Sequence, residues 1–152
     1  MNTISIINSI FEEIATDHGV IKGFYTHRTD ELDNDKVTLD KYPLMYCQVT
    51  NATIHESFVE YDYEVIIADY VNEEHEQNLT KVFNDTLILL QDVLAQFVFS
   101  AVSNKVPIVS SVDTPINCDP FTARFSNLLT GWSATLTIRT PLPLTLCDIP
   151  WE

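Results

Sequence analysis

SFVEYDYEVIIADYV, residues 57–71, is the stretch that decides the fold. Val59, Tyr61, Tyr63, Val65 and Ile67 fall on one side of an extended chain, and Glu60, Asp62 and Glu64 on the other. Alternation with a period of two is the mark of a strand that faces a core on one side and water on the other. Past Glu64 the alternation ends, because Ile66 and Ala68 make the second face apolar too. The strand therefore begins half-solvated and runs into a covered, central position in a sheet.

Working outward, Leu44–Ile54 (LMYCQVTNATI) is a second β-rich run, and a turn near His55 makes the two a hairpin. Downstream the period changes to that of a helix over about Glu73–Val102. Leu79, Val82, Phe83, Leu87, Leu90, Val93, Leu94 and Phe97 form its apolar stripe. Asn72 followed by Glu73, Glu74 and Glu76 puts acids in its first turn, where the helix dipole favours them. Ile88, Leu89 and Val98 widen the stripe, so this helix is expected to pack across the sheet and to have apolar surface left for a partner subunit.

The clearest strand pair follows. Phe121, Ala123 and Phe125 alternate with Thr122, Arg124 and Ser126; Trp132, Ala134, Leu136 and Ile138 alternate with Ser133, Thr135, Thr137 and Arg139. Asn127–Gly131 is the expected turn between them. At the N-terminus, Ile7, Ile10, Phe11 and Ile14 line one helix face, with Asn2 or Thr3 as cap and Gly19 as stop. Val20–Thr26 is a short strand candidate, His27–Tyr42 a polar loop, and Ser103–Pro120 a connector broken by Pro107, Pro115 and Pro120. The closing TPLPLTLCDIPWE has prolines at 141, 143 and 150 and reads as an extended arm.

These elements predict an α+β fold in which an antiparallel sheet of about 4–5 strands carries two helices on one face. The order is α-β-β(-β)-α-β-β. Residues 1–140 form a single domain and residues 141–152 the arm.

Charge narrows the function. With 8 basic and 22 acidic residues the formal net charge is −14, a field that repels phosphate backbones and anionic lipid. Cys47, Cys118 and Cys147 are odd in number and widely spaced, which points to buried free thiols rather than a disulfide framework or a zinc knuckle. No Lys or Arg precedes the first apolar residues, so no signal peptide is expected, and no uninterrupted apolar run approaches the length of a membrane span.

Catalytic and metal motifs fail on inspection. His75-Glu76 begins a zinc-protease signature, but Leu79 stands where its second histidine belongs. The acidic loop Asp30, Glu31, Asp33, Asp35 resembles a calcium loop, yet Val37 replaces an oxygen ligand and Thr38 the turn glycine. Glu60, Asp62 and Glu64 share one strand face and are the remaining carboxylate group. Such a row suits acid–base work, cation binding or plain solvation. No catalytic residue, metal ligand or cofactor is expected, and the chain is read as no enzyme.

EVIIADYV before the long helix, and FTARFSNLLTGWSATLTIRTPLPLTLCDIPW after it, resemble the tail terminator and tail-completion (neck) proteins of tailed bacteriophages. The resemblance implies a virion protein that forms a homo-oligomeric ring, a hexamer, at the tail/neck junction. It would be assembled in the host cytoplasm and would contact tail-tube and neck/connector proteins. DNA would pass through it without specific binding, and no membrane would be involved. In that setting the acidic lumen or solvent face would comprise Asp30, Glu31, Asp33, Asp35, Glu60, Asp62 and Glu64. The subunit interface would comprise Leu142, Leu144, Leu146, Ile149 and Trp151 of the arm. The competing expectation is an intracellular, non-catalytic binding or adaptor domain, marked by a concave apolar pocket.

Overall fold

The computed structural model describes residues 3–26, 42–70, 76–102, 111–124 and 129–141. Along the chain these form α1 (Thr3–Asp17), β1 (Gly23–Tyr25), β2 (Leu44–Ile54), β3 (Val59–Tyr70), α2 (Glu76–Val102), β4 (Ser111–Val112), β5 (Cys118–Arg124) and β6 (Leu129–Thr140). The fold is α+β. Six strands make one sheet in the order β1-β2-β3-β6-β4, with β5 also paired to β6. β5 lies beside Leu129–Ala134 and β4 beside Ile138–Arg139, so the two share one edge of β6.

The 57–71 stretch behaves as its pattern requires. β3 is central, antiparallel to β2 on one side and to β6 on the other. Its Tyr61, Tyr63, Val65 and Ile67 join Met45, Cys47, Ala134, Leu136 and Ile138 in the main core. Both helices close that face. Ile7, Phe11 and Ala15 come from α1, and Leu89, Leu90, Val93, Leu94 and Phe97 from α2. Phe11 stacks on Phe97 with ring centroids 4.3 Å apart, and the Tyr63 hydroxyl donates to the Ile4 carbonyl oxygen at 3.4 Å. The other face of the sheet splits along its length. Leu44, Tyr46, Ile66, Ala68 and Leu129 form a second buried cluster, while the Glu60–Glu64 end is polar.

Several expectations need correction. The sheet has six strands and is mixed, because β1 runs parallel to β2 through Gly23↔Leu44 and Tyr25↔Tyr46. Residues 26–43 join the two, long enough for the crossover that a parallel pair demands. The connector expected over Ser103–Pro120 contributes β4 and the start of β5, and Pro120 is tolerated because β5 lies at the sheet edge. Gly131 is no turn residue. It lies inside β6 opposite Ala68, and a Cβ there would come within 1.9 Å of the Ile67 carbonyl oxygen. Glycine is required because the β3 backbone occupies the space of a side chain.

α1 ends at Asp17, two residues before Gly19, as expected; Asn2, one of its two cap candidates, lies outside the described residues. Thr3 lies buried within the helix and its hydroxyl has no hydrogen-bond partner, so it is not the cap. Gly19 has no left-handed backbone. Instead the His18 N–H donates to the Ile14 carbonyl at 3.0 Å, and its Nδ1 accepts from the Val20 N–H at 3.2 Å. His18 Nε2 reaches Asp92 Oδ2 at 3.0 Å, tying this helix end to α2.

The arm 142–152, with Leu142, Leu144, Leu146, Ile149 and Trp151, lies outside the described residues, as do Asp30, Glu31, Asp33 and Asp35 of the acidic loop.

Candidate functional site

The acidic row on β3 is brought together as its spacing requires, and each carboxylate meets a partner across the strands. Glu64 Oε2 accepts from Ser133 Oγ at 3.2 Å. Asp62 accepts from Thr137 Oγ1 at 2.9 Å and from Asn51 Nδ2 at 3.3 Å. Glu60 Oε1 accepts from Arg139 Nε at 3.1 Å. His55 Nε2 lies 3.4 Å from the same oxygen without the geometry of a hydrogen bond. Arg139 also reaches Asp113 at 3.5 Å and lies over the Phe58 ring. Cross-strand pairs of this kind stabilise a sheet locally. Among the described residues, Glu60 alone of the three is paired with a cation; Asp62 and Glu64 have neutral partners there, so the face stays acidic. Among the described residues, no three His, Cys, Asp or Glu side chains stand close enough to hold a metal ion.

The second feature is an apolar groove beside α2. It has a volume of about 410 Å³ and runs between α2 and the segment leading into β5. Leu87, Leu90, Leu94, Val98 and Phe99 line one wall, and Ile116 and Cys118 the other. Among the described residues, Gln91 is the one polar amide lining it, and no charged residue does. On its rim Phe99 is 73% exposed, and nearby Ile88 is 49% exposed. Singly exposed apolar residues are ordinary, but a contiguous apolar patch marks an interaction surface.

The helix that builds this wall is apolar over most of its length. Leu79–Phe99 is long and apolar enough to cross a membrane by length and composition; an 18-residue window within it has a mean hydropathy of 1.4, and 33% of that window is buried. Lys81, Asp85 and Asp92 interrupt that stretch. Its Leu90, Val93, Leu94 and Phe97 are buried in the core, and Leu87, Ile88 and Phe99 remain exposed. A signal for the groove existed in the sequence: the extra width of the stripe beside Leu87, read there as possible partner surface. Ile116 and Cys118 carried no such signal, since only the pairing of β5 with β6 brings them opposite α2.

The thiols are free where described. Burial, helped by the nearby negative charge of Glu12, pushes the Cys47 thiol up to about 12. Cys118 is half-buried at the groove; burial raises its pKa as well, with Asp119 adding to the effect. Neither has the electropositive surroundings of a reactive cysteine. Asp69, at the apolar end of β3, is held above the usual carboxylate range by burial, and the neighbouring Asp85 adds to this against a hydrogen bond from the Tyr70 N–H. Trp132 packs edge-on against Phe83 and donates from Nε1 to the Phe83 carbonyl at 2.8 Å, so it fastens α2 to the sheet.

No protein-family model matches the chain, and no curated protein matches it.

Proposed function

We propose that this chain is a structural subunit that assembles into a ring, of the kind found as tail terminators at the tail/neck junction of tailed phages. The observation that carries the reading is the apolar groove and exposed Phe99 on a chain of net charge −14. Acidity keeps such a protein from sticking to nucleic acid, and an uncharged apolar surface is where it can still associate. Asp62 and Glu64, held by neutral partners, suit a surface past which DNA slides without pausing. Light scattering over a concentration series, with and without a phage tail-tube protein, tests the proposal. A discrete multimer in either sample supports it, and a monomer in both overturns it.

The same groove supports a second reading, a non-catalytic adaptor domain, since a concave apolar site is the shape that takes a peptide or small apolar ligand. A chain that stays monomeric while binding unrelated apolar peptides would favour it.

A further inference from the structure

We infer that the groove beside α2 is the seat for the C-terminal segment, Leu142–Trp151, of a second copy of this chain, which enters as an added edge strand. The inference deepens the ring reading and rests on it.

The receiving site has the shape of a strand slot. β5 pairs with β6 on one side only, and no strand pairs with its other edge among the described residues. The groove runs beside it, floored by Ile116 and Cys118 and walled by α2. Between Leu87 and Phe99 the helix rises about 18 Å, the span of five or six extended residues. An open edge next to apolar pockets is what strand addition uses: the backbone supplies hydrogen bonds and alternate side chains fill the pockets.

The C-terminal segment has matching chemistry. Pro141 and Pro143 lack an N–H, so an extended Pro-Leu-Pro-Leu stretch can donate from one edge alone. The residues that keep their donors on that edge are Leu142, Leu144 and Leu146. In a strand, residues two apart also share one face. One-sided pairing therefore sends all three leucines to the same side, and here that side is the apolar groove. The segment is a poor central strand and a good edge strand. Two chains of charge −14 repel at long range, but screening cuts that off beyond about 8–10 Å, and the described residues of the groove add no charge to the contact.

The test uses the full chain throughout. A labelled synthetic peptide of residues 141–152 is titrated, by fluorescence anisotropy, into the chain carrying Leu144→Asp and Leu146→Asp, whose own segment no longer competes. Saturable binding is expected. Ala95→Arg, at an exposed position lining the groove, should weaken it at least about tenfold without loss of helical signal; Phe99→Ser serves as the milder second variant. No binding, equal binding to the groove variants, or equal binding of a scrambled peptide overturns the inference. Mixing the Ala95→Arg chain with the Leu144→Asp/Leu146→Asp chain should give a heterodimer by light scattering. If the peptide binds and no heterodimer forms, the segment sits in its own molecule's groove and the second-copy assignment fails. Rings built on tail tubes by the Ala95→Arg chain would sink this inference alone. Heterodimers without any ring on a tube would sink the ring reading alone.

Discussion

The two ends of β3 lie on one strand and one face, yet they solve opposite problems. At one end Glu60, Asp62 and Glu64 stand in partial contact with water, each bonded to a hydroxyl, amide or guanidinium on β2 or β6. At the other end Ile66 and Ala68 are fully buried with Leu44, Tyr46 and Leu129. The difference teaches how much each contact type contributes. Apolar burial is roughly proportional to area and costly to undo. Partly exposed polar pairs replace bonds to water with bonds to protein and gain little.

Mutation at the apolar end should therefore hurt most. Gly131→Ala has the largest expected effect, because its methyl would overlap the Ile67 carbonyl and force β6 away from β3. A loss of about 3 kcal/mol or more is expected, read by urea denaturation. Recovery of wild-type stability in this variant would show that the strands can part without cost. Ile66→Ala comes next, with a loss of about 2–5 kcal/mol from the lost burial and the cavity left behind.

Alkaline titration sharpens the contrast from the helix-covered face. Cys47 is raised from 9.0 to about 12, and Tyr63 is also raised, by burial first. Above the thiol's ordinary range the unfolded chain releases the Cys47 proton while the native chain keeps it. The stability it contributes is thus present below pH 9 and is lost between about pH 9 and 12. Denaturation midpoints should fall over that window, and less steeply in Cys47→Ala. A midpoint that is flat with pH would remove the case for a desolvated thiol.

The polar end should respond weakly. Thr137→Ala, which takes a bond from Asp62, should cost about 0.5–1.5 kcal/mol. A double-mutant cycle on Glu60 and Arg139 should give a coupling of about 0.2–1 kcal/mol that shrinks with added salt. A coupling that salt leaves unchanged would mean the pair is more shielded than its exposure implies.

Much of this was legible in the residues. The period of 57–71 marks β3, and the switch at Ile66 marks its covered end. The stripe from Leu79 to Phe97 marks α2, and the alternation around Trp132 marks β6. Prolines hid β4 and the first residues of β5, because Pro115 and Pro120 signal a break whenever no edge position is in view. Gly131 read as a turn because local pattern does not report a neighbouring backbone. The acidic row was visible as a row; its cross-strand partners, some seventy or more residues away in several cases, were not.

By itself the chain determined the type of its long elements, its acidity and the central place of β3, because these follow from side-chain periodicity and charge, which are local properties. Only the tertiary structure decided that β1 pairs in parallel, that the carboxylates of β3 are satisfied by β2 and β6, and that Ile116 and Cys118 face α2 across an open groove. Those outcomes depend on which strands become neighbours. That choice is made by the summed burial of two sheet faces, and no single segment carries it.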